Sequence, residues 1–204
     1  MGVITSKVLL SCFVAFIALV NPVQKIFVIN SLQKQFDDKT TRFISVKSTI
    51  TALIILLVFL LAGHVIFTYV FHIELYAFQM TCGVVLFYNG ISGLQKGVFF
   101  RVHKNVTAKD LTAVPIAIPM IAGPATITAV VTFPADYGYP VTVIAIVAAL
   151  AVNLALMWYA RKIGNVLIKF NLMNPLIRIF GLIVATIGAQ MILNGIRGFV
   201  PDIR

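Results

Sequence analysis

Acidic residues are scarce in this chain: six Asp and Glu among 204 residues, with charged residues of both signs making up only 11%. Asp37, Asp38, Glu74, Asp110, Asp136 and Asp202 all fall between apolar runs or at the tail, so no obvious carboxylate relay for protons runs through an apolar segment. Cysteine is scarce too. Cys12 and Cys82 each lie inside an apolar run and match no disulfide or metal spacing, so both read as buried, inert thiols. The three histidines, His64, His72 and His103, fall in separate regions without an H-E-x-x-H pattern. Neither a metal cluster nor a nucleophile with its base can be assembled from them, so no catalytic residue, metal or cofactor is expected.

What the chain has in abundance is apolar side chains, 60% of all residues, with a mean hydropathy of +1.02. A water-soluble domain of this size does not carry that balance. Apolar runs occur at roughly 5–33, 43–71, 75–95, 111–134, 139–160 and 176–200, and about 20 apolar residues cross a bilayer as a helix. The expectation is an all-α membrane protein with six transmembrane helices in one membrane domain, 1–204, surrounded by the lipid bilayer. The first run lacks a small-x-small cleavage site and reads as a retained span. Gly2 to Ser6 fits a loose myristoylation pattern and Asn105-Val106-Thr107 a glycosylation acceptor, both common by chance.

The net charge of +10 suits topology better than nucleic acid, which is not expected as a partner. Of the 16 cations, Lys34, Lys39, Arg42, Lys47, Lys96, Arg101, Lys104, Lys109, Arg161, Lys162, Lys169 and Arg178 lie in or near the connectors after spans one, three and five. The opposite side has Lys7, Arg197 and Arg204. This positive-inside bias places those connectors in the cytoplasm and both termini outside it.

The two halves echo each other. At an offset of 105, Thr81, Gly83, Asn89, Gly90, Ile91 and Gly93 meet Thr186, Gly188, Asn194, Gly195, Ile196 and Gly198. At an offset of 102, Asn21-Pro22 meets Gly123-Pro124. We therefore expect repeat 1 over 1–97, a cytoplasmic connector over 98–110 and repeat 2 over 111–204. Three spans per repeat is an odd number, so the second copy is inverted, an arrangement in which transporters place substrate between discontinuous helices.

Asn21-Pro22 reads as a helix start inside the first span, with Asn at the N-cap and Pro at the first helical position. Gly123-Pro124 reads the same way in the fourth, so helices 1 and 4 are expected to be broken near the midplane. Unpaired N–H groups at such breaks suit a carboxylate, and the preceding carbonyls suit an ammonium group. The candidate substrate-binding residues are Asn21, Pro22, Val23, Gln24, Gly123, Pro124, Ala125, Thr126 and Asn194, with Lys25, Asn89, Thr128 and Gln190 as additional candidates. Lys25 either meets an anionic group or snorkels to the surface. Gly83, Gly90 and Gly93, with Gly188, Gly195 and Gly198, read as close-packing surfaces.

Three stretches carry a family resemblance: Asn21-Pro22, the P-x-A-I-P-x-x-A-G-P segment from Pro115 to Pro124, and Arg178-Ile179-Phe180-Gly181-Leu182 running on to Asn194-Gly195-Ile196-Arg197. Over essentially its whole length the chain resembles the MarC family. The resemblance implies a multi-pass protein of a prokaryotic cell membrane and, in characterised relatives, transport of glycine or alanine. The expected function is secondary transport of a small neutral solute by alternating access, with two repeats rocking about the breaks. A passive channel and a non-transporting assembly or regulatory component are the alternatives, and a homo-oligomer is left open. Where the family usually reads Asp or Asn, Pro, x, Gly, x, x, Pro, this chain has Gln24 for the glycine and Phe27 for the second proline. Those changes narrow the cavity or add donors, which admits another small polar or anionic solute. Asn21 in place of an aspartate also removes a candidate cation or proton site.

Overall fold

The computed structural model describes residues 6–33, 36–96 and 112–200. The two short modification patterns, at Gly2 to Ser6 and at Asn105 to Thr107, and the whole of the expected 98–110 connector lie outside those residues, except Ser6, which is described. Among the described residues every regular element is helical. They are α1 (Ser6–Val20), α2 (Pro22–Leu32), α3 (Asp38–Val65), α4 (Leu75–Lys96), α5 (Thr112–Ile121), α6 (Pro124–Tyr137), α7 (Tyr139–Trp158), α8 (Ala160–Lys169) and α9 (Met173–Phe199). α5 is wound as a π-helix, and α3 continues into a π turn at Ile66–Val70.

Four helical stretches are long and apolar enough to cross a membrane: Ser6–Asn30, Asp38–Val70, Tyr139–Trp158 and Met173–Phe199. These correspond to the expected first, second, fifth and sixth spans. The expected third span forms α4, 22 residues long but diluted by Gln79, Asn89 and Gln95. The expected fourth is divided between α5 and α6. Large apolar side chains cover the outside, Leu61 at 76% exposure among them, as befits a protein solvated by lipid.

The core forms where α1, α3, α5 and α7 meet, with Cys12, Phe16 and Val20 of α1 repeating every four residues on one face. Both thiols, Cys12 and Cys82, are buried and free. Three hydroxyls of α3 pair with the carbonyl four residues back: Thr41 donates to Asp37 O at 3.0 Å, Ser45 to Thr41 O at 2.9 Å and Thr49 to Ser45 O at 2.8 Å. Such internal pairing lets polar side chains sit in an apolar medium. Ser48 Oγ and Asn153 Oδ1 are buried without a partner.

α4 and α9 pack antiparallel with almost nothing between their backbones. A Cβ added at Gly83 would lie 2.7 Å from Gly188 O, one at Gly90 2.6 Å from Gly181 O, and one at Gly195 2.8 Å from Tyr76 O. Gly83 and Gly90 are seven residues apart, as are Gly181, Gly188 and Gly195, a spacing that keeps them on one helix face.

α8 was not expected as a helix. Ala160, Ile163, Gly164 and Leu167 turn inward at helical spacing while Arg161, Lys162 and Lys169 stay outside. Gly164 sits against Asn30 of α2, and Arg161 Nη1 pairs with Asp38 Oδ2 at 2.6 Å at the start of α3. Before that start, Asp37 accepts from Thr40 N at 3.4 Å as the N-cap, and this bonding to Thr40 holds its carboxyl below the usual carboxylate range.

Candidate functional site

The break between α1 and α2 rests on one residue. Asn21 has φ +49°, a left-handed conformation that asparagine tolerates better than other side-chain-bearing residues. Its N–H closes α1 by donating to Ile17 O at 3.0 Å, and its Oδ1 accepts from Gln24 N at 3.3 Å to open α2. Asn21 is thus the stop of one helix and the cap of the next, with Pro22 at the first position of α2. The second break has a different construction. α5 ends with Ala122 N donating to Ala117 O at 2.8 Å, a five-residue reach. Gly123 then turns extended at φ −83° and ψ 168°, and Pro124 starts α6.

The two breaks face one cavity of about 250 Å³. Asn21 and Gln24 reach it from the first break, and Gly123, Pro124, Ala125 and Thr126 from the second. Asn89 of α4 also lines it, while Pro22 and Val23 do not. Asn194, expected at the same site, lines a neighbouring cavity of about 230 Å³ together with Thr128 and Gln190. There Gln190 Nε2 donates to Asn194 Oδ1 at 2.8 Å, and Thr128 Oγ1 donates to Pro124 O at 3.0 Å. Leu19, Ala125 and Ile187 line both cavities and so form the wall between them.

Lys25 does not reach the surface. It is only 1% exposed, so it does not snorkel, and it lines neither cavity. Its ammonium donates to Val20 O at the end of α1 and to Met120 O near the end of α5, tying both broken helices together. No local pattern announces this, because Met120 lies 95 residues away. No group of three or more metal-ligating side chains occurs among the described residues.

This arrangement spans the stretches in which the sequence resembles a known family, and the comparison is direct: the profile of the MarC family of integral membrane proteins matches residues 6–200. The chain belongs to the MarC family. A UPF0056 membrane protein of Pyrococcus horikoshii is 36% identical over 197 residues, which cover 97% of each chain. UPF0056 membrane protein YvbG of Bacillus subtilis is 30% identical, with 93% of this chain and 94% of that protein covered. A second UPF0056 membrane protein of P. horikoshii is 29% identical, with 94% and 96% covered. MarC relatives thus occur in archaea and bacteria, and an integral membrane protein is what they have in common with this chain. No solved structure matches it significantly.

Proposed function

We propose that this MarC protein is a secondary transporter of a small polar solute, and that the cavity between the two breaks is its substrate site. The observation that carries this reading is that one cavity is walled by both chain breaks, at Asn21 and at Gly123-Pro124. Each break leaves unpaired backbone groups that an apolar medium cannot satisfy, and a polar solute does so at modest cost. A volume of about 250 Å³ lies below the roughly 300–1,000 Å³ of pockets for drug-sized ligands, which suits a solute of a few heavy atoms such as glycine or alanine. The neighbouring cavity beyond Ala125 supports a path of two chambers in series.

An inverted repeat supports alternating access, and several features favour it. Exchanging the two halves at the offset of 105 turns the Gly90–Gly181 approach into that of Gly195 and Tyr76, both present, and maps Gly83–Gly188 onto itself. The same offset relates Ser48 to Asn153, each buried with an unpaired oxygen. It also relates Asn89 in one cavity to Asn194 in the other.

Replacing Gly123 with Ala and Pro124 with Leu together fills and straightens the second break. We expect the purified double variant to remain inserted and monodisperse but to lose saturable uptake in proteoliposomes; full uptake would refute the broken-helix site. A passive channel is separated by counterflow, since only a carrier drives labelled solute inward against unlabelled solute on the other side.

A further inference from the structure

Lys25 is the feature that the cavity alone leaves unexplained. A cation buried this far is costly without a partner, and among the described residues the sole ion pair is Arg161 with Asp38, at the start of α3. Two carbonyls receive the ammonium, Val20 O and Met120 O, and these are the carbonyl ends of the two broken helices. In a cavity between broken helices, carbonyl ends are where the ammonium of a zwitterionic solute is best stabilised, while the opposing N-termini suit its carboxylate. In this chain an amino group is already there, covalently held.

We infer that Lys25 is a tethered cation standing where a substrate's amino group would bind, so that the cavity takes a small carboxylate without an ammonium group of its own. This refinement rests on the reading of the cavity as the substrate site. Buried donors lining the cavity provide independent support. The buried threonines Thr41, Thr49, Thr128 and Thr142 each donate to the carbonyl four residues back. Thr126 is the exception: its fourth residue back, Ala122, lies in the break, and its hydroxyl has no partner among the described residues although it is only 1% exposed. Asn21 spends its Oδ1 on Gln24 N, which leaves its Nδ2 without a partner among the described residues. A hydroxyl and an amide therefore reach the cavity with protons to donate, beside the free N–H groups that begin α6 and backed by the charge of Lys25. An anion satisfies all of them, whereas a second ammonium would sit beside the first and be repelled.

The test uses the full chain in proteoliposomes with four labelled compounds: glycolate and lactate against glycine and alanine, each with trans-loaded unlabelled compound. Wild-type protein is expected to take up a hydroxy acid at least tenfold faster than the amino acid of the same carbon number. Lys25→Met, which keeps the length and removes the charge, is expected to reduce carboxylate uptake at least tenfold and to abolish the preference. Should that variant fail to fold, the wild-type preference decides alone. Amino acid uptake equal to or faster than hydroxy acid uptake in the wild type overturns the inference but leaves the carrier reading intact. An undiminished preference in a folded Lys25→Met variant overturns it as well. Absence of saturable flux for all four compounds overturns the carrier reading and this inference together.

Discussion

At the scale of single residues, Asn21 carries more structural duty than any neighbour, because it ends one helix and caps another while at positive φ. The two duties can be separated. Asn21→Gly keeps the backbone conformation and is expected to cost only a few tenths of a kcal/mol, since glycine is a tolerable cap. Asn21→Val loses both and is expected to cost about 2–3 kcal/mol, from roughly 1–2 for the left-handed backbone and about 1 for the cap. Thermal unfolding in detergent measures both, and equal losses for the two variants would refute the assignment. Asn21-Pro22 was legible in the sequence because capping is a local affair: the preferred residue types announce it without knowledge of the rest of the fold. Lys25 was not legible for the opposite reason. Its partners are main-chain carbonyls, one of them on a distant segment, and any residue type supplies a carbonyl.

Among the elements, α4 and α9 show how glycine converts sequence spacing into contact between backbones. Gly188→Val pushes a branched side chain to where a single Cβ already lies 2.4 Å from Phe87 N. Overpacking of this kind costs about 1–3 kcal/mol, and here the neighbour is backbone that cannot rotate away. A lowered melting temperature is expected, together with little change for Leu61→Ala on the lipid-facing side of α3; similar losses for both would refute the close packing. The repeated glycines were visible in the sequence as small faces, and the structure supplies what they face. α8 is hidden in the sequence because its ten residues carry Arg161, Lys162 and Lys169, and cations near a span end have the pattern of a connector. The π winding of α5 was likewise hidden: Pro115 and Pro119 foretold a weakened helix but not which wider hydrogen-bond pattern would replace the lost one.

On the scale of the whole molecule, the decisive relation is between the breaks and the α4–α9 pair. The alignment of Asn89 with Asn194 suggested one site, yet the two line separate chambers divided by Leu19, Ala125 and Ile187. Gly83 and Gly188, by contrast, lie in contact across the α4–α9 seam. A cysteine pair tests the mechanics of this seam. A Cβ at Gly198 lies 2.9 Å from Tyr76 Cβ, so Tyr76→Cys with Gly198→Cys needs only a small adjustment to reach the roughly 3.5–4.5 Å of a disulfide. We expect the pair to cross-link under mild oxidation while uptake continues; uptake that stops on oxidation and returns on reduction would show that the seam has to open.

Continued uptake would change what is meant by two halves. Backbone packed this closely against backbone leaves no clearance, and a slip of one turn, about 5.4 Å, takes the facing glycines out of register. The joint where the first half of the chain meets the second is therefore the one least able to give. If the cavity opens alternately to either side, the line between stator and rotor runs across both halves, with α4 and α9 as a common post and the broken helices as the parts that swing.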